Sequence, residues 1–231
     1  MVNKLLFIFF LVPFALIGQR SIDVDSLMQR AIDKSEKNNP QEALQLFAYD
    51  TYEKTIITDS IKDSDNSPHS FFSEMVSRNE FVKKTGFLES IEGIRMAGFD
   101  EPRYEILATT IESRSFYDED FVIFDYRYAG PFSKRGLKHY NYTFLGDTII
   151  QDRPSYKVSL APKRPEAVPG LVGTLWLDQE SLALQRALIN LSDDIVVRMV
   201  QQNTYIKELD IYMPQTNILY LEKGKTDKRL S

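Results

Sequence analysis

Apolar and polar side chains alternate with a period of two over much of the second half of the chain. Tyr140, Tyr142 and Phe144 occupy alternate positions, as do Tyr156, Val158 and Leu160, and then Val172, Thr174 and Trp176. That spacing predicts strands with one buried face. Gly146-Asp147, Asp152-Arg153-Pro154 and Asp178-Gln179-Glu180-Ser181 supply turn residues between them, and the run Leu182, Leu184, Arg186, Leu188 follows. Residues 195–206 alternate Ile195, Val197 and Met199 with charged and amide residues, a pattern for a strand that leaves a helix open. The turn-like Glu208-Leu209-Asp210 then favours a last hairpin, with Ile211-Tyr212-Met213 beyond it and a final strand over 218–221.

Toward the N-terminus the pattern changes. Leu27, Met28, Ala31 and Ile32 recur on one side of a stretch from Asp23 to Lys37, the spacing of a short amphipathic helix capped by Asp25 or Ser26. Asn39, Pro40 and Glu42 suit the cap, first position and capping box of a second helical turn. Residues 46–58 and 71–81 read as strands, whereas 86–97 fits a strand or a helix. Residues 59–70 form an acidic, serine-rich loop. Between 104 and 128 the pattern gives a short helix or irregular strand, an acidic turn at Asp118-Glu119-Asp120 and a buried strand. Three prolines between 161 and 170 then require a loop.

The opening residues carry a different message. Lys4, an apolar run from Leu5 to Ile17 and a small Gly18 make residues 1–18 a secretory signal, with the run shorter than the ~18–20 residues a spanning helix needs. An exported domain over 19–222 and a polar tail over 223–231 follow from this division. With 231 residues, 43% apolar and 12% aromatic, the chain can build one sizeable core. A net charge of −5, made more acidic by loss of Lys4, argues against a nucleic-acid partner. The absence of cysteine excludes disulfides and thiolate metal sites.

No residue set announces catalysis. Only His69 and His139 could begin a histidine metal site, and nothing in their spacing joins them. Asp63, Asp65, Ser67 and Glu74 fit a calcium-loop spacing in part, but Pro68 stands where that loop turns on glycine. The adjacent acids Asp118, Glu119 and Asp120, and Asp193-Asp194, read as turn residues, and no nucleophile elbow accompanies the serines. The expectation is a protein that is not an enzyme, with no cofactor and no metal.

The aromatic cluster around Tyr140, Tyr142, Phe144, Tyr156 and Trp176 is either a core beneath covering helices or part of an open apolar groove. For the groove, the lining residues would be Tyr142, Phe144, Tyr156, Val158, Trp176 and Leu188.

The run Gly173-Thr174-Leu175-Trp176-Leu177-Asp178, followed by Leu184-Gln185-Arg186, resembles strands of the LolA/LolB-type lipoprotein-sorting fold. Asn38-Asn39-Pro40, Tyr49-Asp50-Thr51-Tyr52-Glu53-Lys54, Ser115-Phe116-Tyr117-Asp118, Gly130-Pro131-Phe132-Ser133, His139-Tyr140-Asn141-Tyr142 and Met213-Pro214 resemble a family of unknown function in Gram-negative envelope proteins. Its members are commonly labelled carboxypeptidase regulatory-like domain-containing. They carry a regulatory domain in front and a barrel-like membrane region behind, so the resemblance implies a free-standing version or a fragment. It further implies an α+β fold, a curved antiparallel half-barrel sheet partly covered by N-terminal helices. The implied place is the periplasm or the inner side of the outer membrane. The implied partner is a lipid or lipoprotein acyl chain, or alternatively an outer-membrane barrel protein contacted as an assembly module.

Overall fold

The computed structural model describes residues 22–58, 71–98, 115–123, 126–166, 170–191 and 195–223. The expected signal at 1–18, the loop at 59–70, His69, most of the calcium-loop spacing, Asp193-Asp194 and nearly all of the tail lie outside these residues.

Three short helices come first. α1 (Val24–Asp33) is capped by Asp23, whose side chain accepts from the Ser26 amide at 3.3 Å, two positions before Asp25 and three before Ser26, the expected caps. Leu27, Met28, Ala31 and Ile32 form its buried face, as the spacing predicts. α2 (Ser35–Asn38) and α3 (Pro40–Ala43) complete the set, with Asn39 capping α3 and Pro40 at its start.

Eleven strands follow. β1 (Leu46–Thr58), β2 (Phe71–Val82) and β3 (Gly86–Gly98) form a meander. β4 (Asp120–Ile123) and β5 (Tyr126–Ala129) make a separate two-stranded ribbon. Helix α4 (Lys134–His139) is capped by Ser133, which accepts from the Gly136 amide at 2.9 Å. A six-strand meander closes the chain: β6 (Tyr140–Ile150), β7 (Arg153–Pro162), β8 (Val172–Asp178), β9 (Leu184–Leu191), β10 (Ile195–Ile206) and β11 (Ile211–Lys223).

Nine strands join in one curved sheet ordered β3-β2-β1-β11-β10-β9-β8-β7-β6. It does not close, since β3 and β6 are its two edges. The expected all-antiparallel sheet needs one correction: β1 runs parallel to β11, with Tyr52 opposite Thr216 and Thr55 opposite Leu219. β1, antiparallel to β2 on one side, takes the free side of β11 on the other, and there the two strands run in the same direction.

Several local readings also change. Gly146 is not a turn: it sits inside β6 at φ 127°, where the register with β7 shifts, so its freedom serves a bulge. The turn proper is Gln151-Asp152, both at positive φ. His139 is the last residue of α4, and residues 86–97 are strand throughout. Residues 211–223 form one strand through Pro214. The proline is tolerated because β1 joins β11 only from Thr216 onward, leaving no second neighbour for its missing amide to serve.

Candidate functional site

The strand registers align side chains of the sheet's inner face, the face that carries the core, into rows. One row crosses the entire sheet as Phe144, Val158, Leu175, Ala187, Gln201, Asn217, Glu53, Met75 and Ile94. The next runs Tyr142, Leu160, Gly173, Ile189, Met199, Leu219, Thr55, Ser73 and Met96. Each row is apolar at the β6 side; the first turns polar from β10 to β1 at Gln201, Asn217 and Glu53, and the second at β1 and β2 at Thr55 and Ser73. The two halves of the inner face therefore differ in chemistry.

On the β6 to β9 half the protein fills its own surface. Leu27, Met28, Ala31 and Ile32 from α1 and Phe116, Phe121 and Phe132 share one buried cluster with Tyr140, Tyr142, Val158, Leu160, Leu175 and Leu177. Val158 is 0% exposed, and the buried Tyr142 hydroxyl donates to the Pro131 carbonyl at 2.7 Å. Phe144 and Tyr156 meet edge to face at 6.1 Å and are half-buried on this face. Trp176 and Leu188 are on the opposite face, because Leu175 and Ala187 take the inward parity in register with Val158. Trp176 stacks instead beneath the cations of Arg186 at 5.2 Å and Lys157 at 5.6 Å. The six residues expected along one groove thus divide between core and outer surface. An aromatic residue drew the sequence reading to the wrong parity of β8.

The β1 to β3 half is built otherwise. Thr51, Thr55, Ser73, Ser77 and Asn79 are buried on the inner face, and Asn79 Nδ2 donates to Thr51 Oγ1 at 2.8 Å and to Ser77 Oγ at 3.3 Å. Glu53 stands in this strip with no hydrogen-bond or ion-pair partner among the described residues. Burial first, and the nearby Glu89 carboxylate second, push its carboxyl up to about 7. The same two causes push the Tyr49 hydroxyl up to about 12. Asn217, the register partner of Glu53 on β11, has a buried Oδ1 that accepts no hydrogen bond.

Beyond the strip, edge strand β3 presents Phe87, Ile91, Ile94 and Met96 on the same face, exposed by 46%, 58%, 50% and 39%. Phe87 joins Phe81 at 4.9 Å and Phe47 at 5.9 Å in an aromatic corner. A cleft of about 60 Å³ opens there, lined among others by Tyr49, Phe87, Tyr117, Gln201, Asn203 and Asn217. That space holds a few waters and is several-fold below the ~300–1,000 Å³ of a formed small-molecule pocket.

Charge is divided between the faces. Lys54 and Arg95 approach the Phe72 ring, Arg78 pairs with Asp50 at 3.1 Å, and Arg198 lies over Tyr220, all on the outer face. On the inner face of β1 to β3, and of β10 and β11 over residues 196–206 and 211–220, the charged side chains at paired positions are Glu53 and Glu89. No group of three or more metal-ligating side chains occurs among the described residues.

A second polar centre is structural. Asp178, 1% exposed, accepts from Arg153 Nε at 2.7 Å, the Ser181 amide at 2.8 Å, Ser181 Oγ at 3.0 Å and Tyr212 Oη at 3.0 Å. Burial pushes its carboxyl up, but these donors outweigh it and hold the group at about 2. Its work is to fasten the β8–β9 turn to β7 and β11.

The sequence reading missed Glu53, Asn217 and the β3 stripe. A signal existed in β1: Phe47, Tyr49, Thr51, Glu53 and Thr55 share one parity, so a carboxylate stands among side chains suited to burial.

These features define an α+β protein built on one large, open, mostly antiparallel sheet, whose inner face is apolar and filled on one half and, on the other, carries a buried polar strip beside an exposed edge strand. The chain belongs to the family of unknown function DUF5686, whose sequence profile matches residues 27–226. No curated protein sequence matches it significantly. Among solved structures it is similar to a DUF1329 family protein from Desulfovibrio piger, with 10% identity, 78% of this chain and 81% of that chain covered, and a TM-score of 0.30. It is also similar to the Mycobacterium tuberculosis lipoprotein LppX, with 15% identity, 72% and 88% covered, and a TM-score of 0.32.

Proposed function

We propose that this protein binds an acyl or other alkyl chain on the inner face of β1 to β3 and acts as a non-enzymatic carrier or receptor in the cell envelope. The observation that carries the reading is the stripe of Phe87, Ile91, Ile94 and Met96, large apolar side chains left exposed on the face that elsewhere buries the core. Water-exposed apolar surface of this kind is stabilised by an apolar occupant. The cleft beside Phe87 gives such an occupant an end to enter.

In this reading the open sheet is a half-barrel of the LolA/LolB type. The residues at 1–18 direct export, and the carrier works in the periplasm or at the inner side of the outer membrane. Among the described residues, no helix is long and apolar enough to cross a membrane. The resemblance to carboxypeptidase regulatory-like envelope proteins supports the same compartment.

Native mass spectrometry of gently extracted protein tests the proposal. Retained lipid, or stoichiometric uptake of a single-chain amphiphile, is the expected result. A chain that carries no lipid and takes up none contradicts it. The thirteen-residue edge strand β3 favours one other reading, strand addition to a protein partner. Capture of a barrel protein with no lipid retained would establish that role instead.

A further inference from the structure

The polar strip beside exposed edge strand β3 bears on which amphiphile the protein takes. Glu53 and Asn217 are register partners across the parallel β1–β11 pair, so their side chains leave the same face side by side. Both present oxygen acceptors without a donor: the Glu53 carboxyl has no partner among the described residues, and Asn217 Oδ1 is buried and unpaired. An unpaired buried acceptor such as Asn217 Oδ1 is costly, and that cost vanishes when a donor arrives, whereas half-buried Glu53 still meets solvent. Gln201, next in the row, commits its Nε2 to Asn203 Oδ1 at 2.8 Å and does not serve them.

The described side chains around Glu53 disfavour an anionic occupant. The titratable groups around Glu53 on this face are Tyr49 of β1 and Glu89 of β3, with Tyr117 and Tyr212 farther along the cleft. Within two inward positions of Glu53 or Asn217 along these strands no described basic side chain shares the face; Lys54, Arg78, Arg95 and Arg198 all point to the other side. A phosphate or carboxylate headgroup placed here would meet two carboxyl groups and no cation. A primary ammonium meets the opposite situation: it carries three donors and a positive charge, matching two unpaired acceptors and an acidic field.

We propose that the amphiphile held on this face is amine-bearing, its ammonium received by Glu53 and Asn217 while its alkyl chain lies along Ile91, Ile94 and Met96. This rests on the alkyl-binding reading above and names the headgroup class for the same site. Entry of the ammonium releases the proton that Glu53 holds in the empty protein near neutral pH, so headgroup preference strengthens as pH rises through 7.

The experiment is calorimetric titration of the full chain with dodecylamine, dodecanol and dodecanoate, each below its aggregation threshold, at pH 6 and pH 8. The expected result at pH 8 is dodecylamine binding at least ~10-fold tighter than dodecanol, with dodecanoate weakest, and a smaller advantage at pH 6. Glu53→Gln should bring the dodecylamine affinity down to that of dodecanol in the same variant, at both pH values. Asn217→Leu, which removes the second acceptor, should reduce the advantage in part. Dodecanoate binding as tightly as dodecylamine, or an amine advantage retained in Glu53→Gln, overturns the headgroup assignment alone. Failure of all three probes to bind overturns the alkyl-binding reading with it.

Discussion

Arg153 Nε lies 2.7 Å from Asp178 Oδ2, and the carboxylate it reaches is almost wholly buried beneath the β8–β9 turn. Arg153 is itself covered by the Tyr205 ring, 4.2 Å from the guanidinium carbon. The pair joins the start of β7 to the end of β8, with Tyr212 of β11 as a third member. Removing one side leaves the other charged and poorly paired. Asp178→Ala should destabilise the fold by about 3 kcal/mol, measured by urea unfolding at pH 7. The Asp178 carboxyl is held at about 2, so its contribution is complete above the ordinary carboxylate range and is lost as pH falls from about 4 toward 2. The wild-type advantage over Asp178→Asn should shrink through that window.

Glu53 shows the opposite sign. Its carboxyl is raised from 4.5 to about 7, so the folded chain holds a proton there that the unfolded chain has lost. The cost of ionising it is absent below about 4, grows as pH rises, and is complete above 7. Glu53→Gln should therefore raise the unfolding temperature at pH 8, by a stabilisation of about 1–2 kcal/mol after allowance for partial exposure, and leave it nearly unchanged at pH 4.5.

Gly173 occupies its row because a side chain has no room. A Cβ there would stand 2.0 Å from the Leu188 carbonyl oxygen and 3.0 Å from the Ile189 Cα. Gly173→Ala should cost about 2–3 kcal/mol by thermal or chemical unfolding. Gly93 of β3 has nothing within 4 Å of the same position, and Gly93→Ala should change stability by no more than about 0.5 kcal/mol.

How much of this was legible in the chain depends on which interactions decide each feature. β1 was readable to its ends because aromatic and β-branched residues, Phe47, Tyr49, Thr51, Tyr52 and Ile56 among them, run through it, and α1 because Leu27, Met28, Ala31 and Ile32 repeat at helical spacing. Inward parity in β8 was not readable, since Trp176 and Leu175 both suit a buried face. Only the register with Val158 and Ala187 settles it. The parallel β1–β11 pair joins residues far apart in sequence and leaves no local mark. Pairing Glu53 with Asn217 depends on it, so the strip could not be assembled from sequence spacing.

The apolar stripe is a surface feature of an edge strand. Ile91→Glu combined with Ile94→Glu should leave the unfolding free energy within about 0.5 kcal/mol for each exposed site. The same pair should abolish alkyl-chain uptake in native mass spectrometry. Val158→Glu is the contrasting change, since a lone charge at a fully buried position should unfold the domain outright.

Photo-crosslinking with a single-chain amphiphile carrying a diazirine near its terminal methyl tests the central claim most directly. Peptide mapping should find the label on β3, at Phe87, Ile91, Ile94 or Met96, and competition with unlabelled amphiphile should remove it. Label on Tyr142, Phe144, Tyr156 or Trp176 instead, or no label above background, would contradict the account.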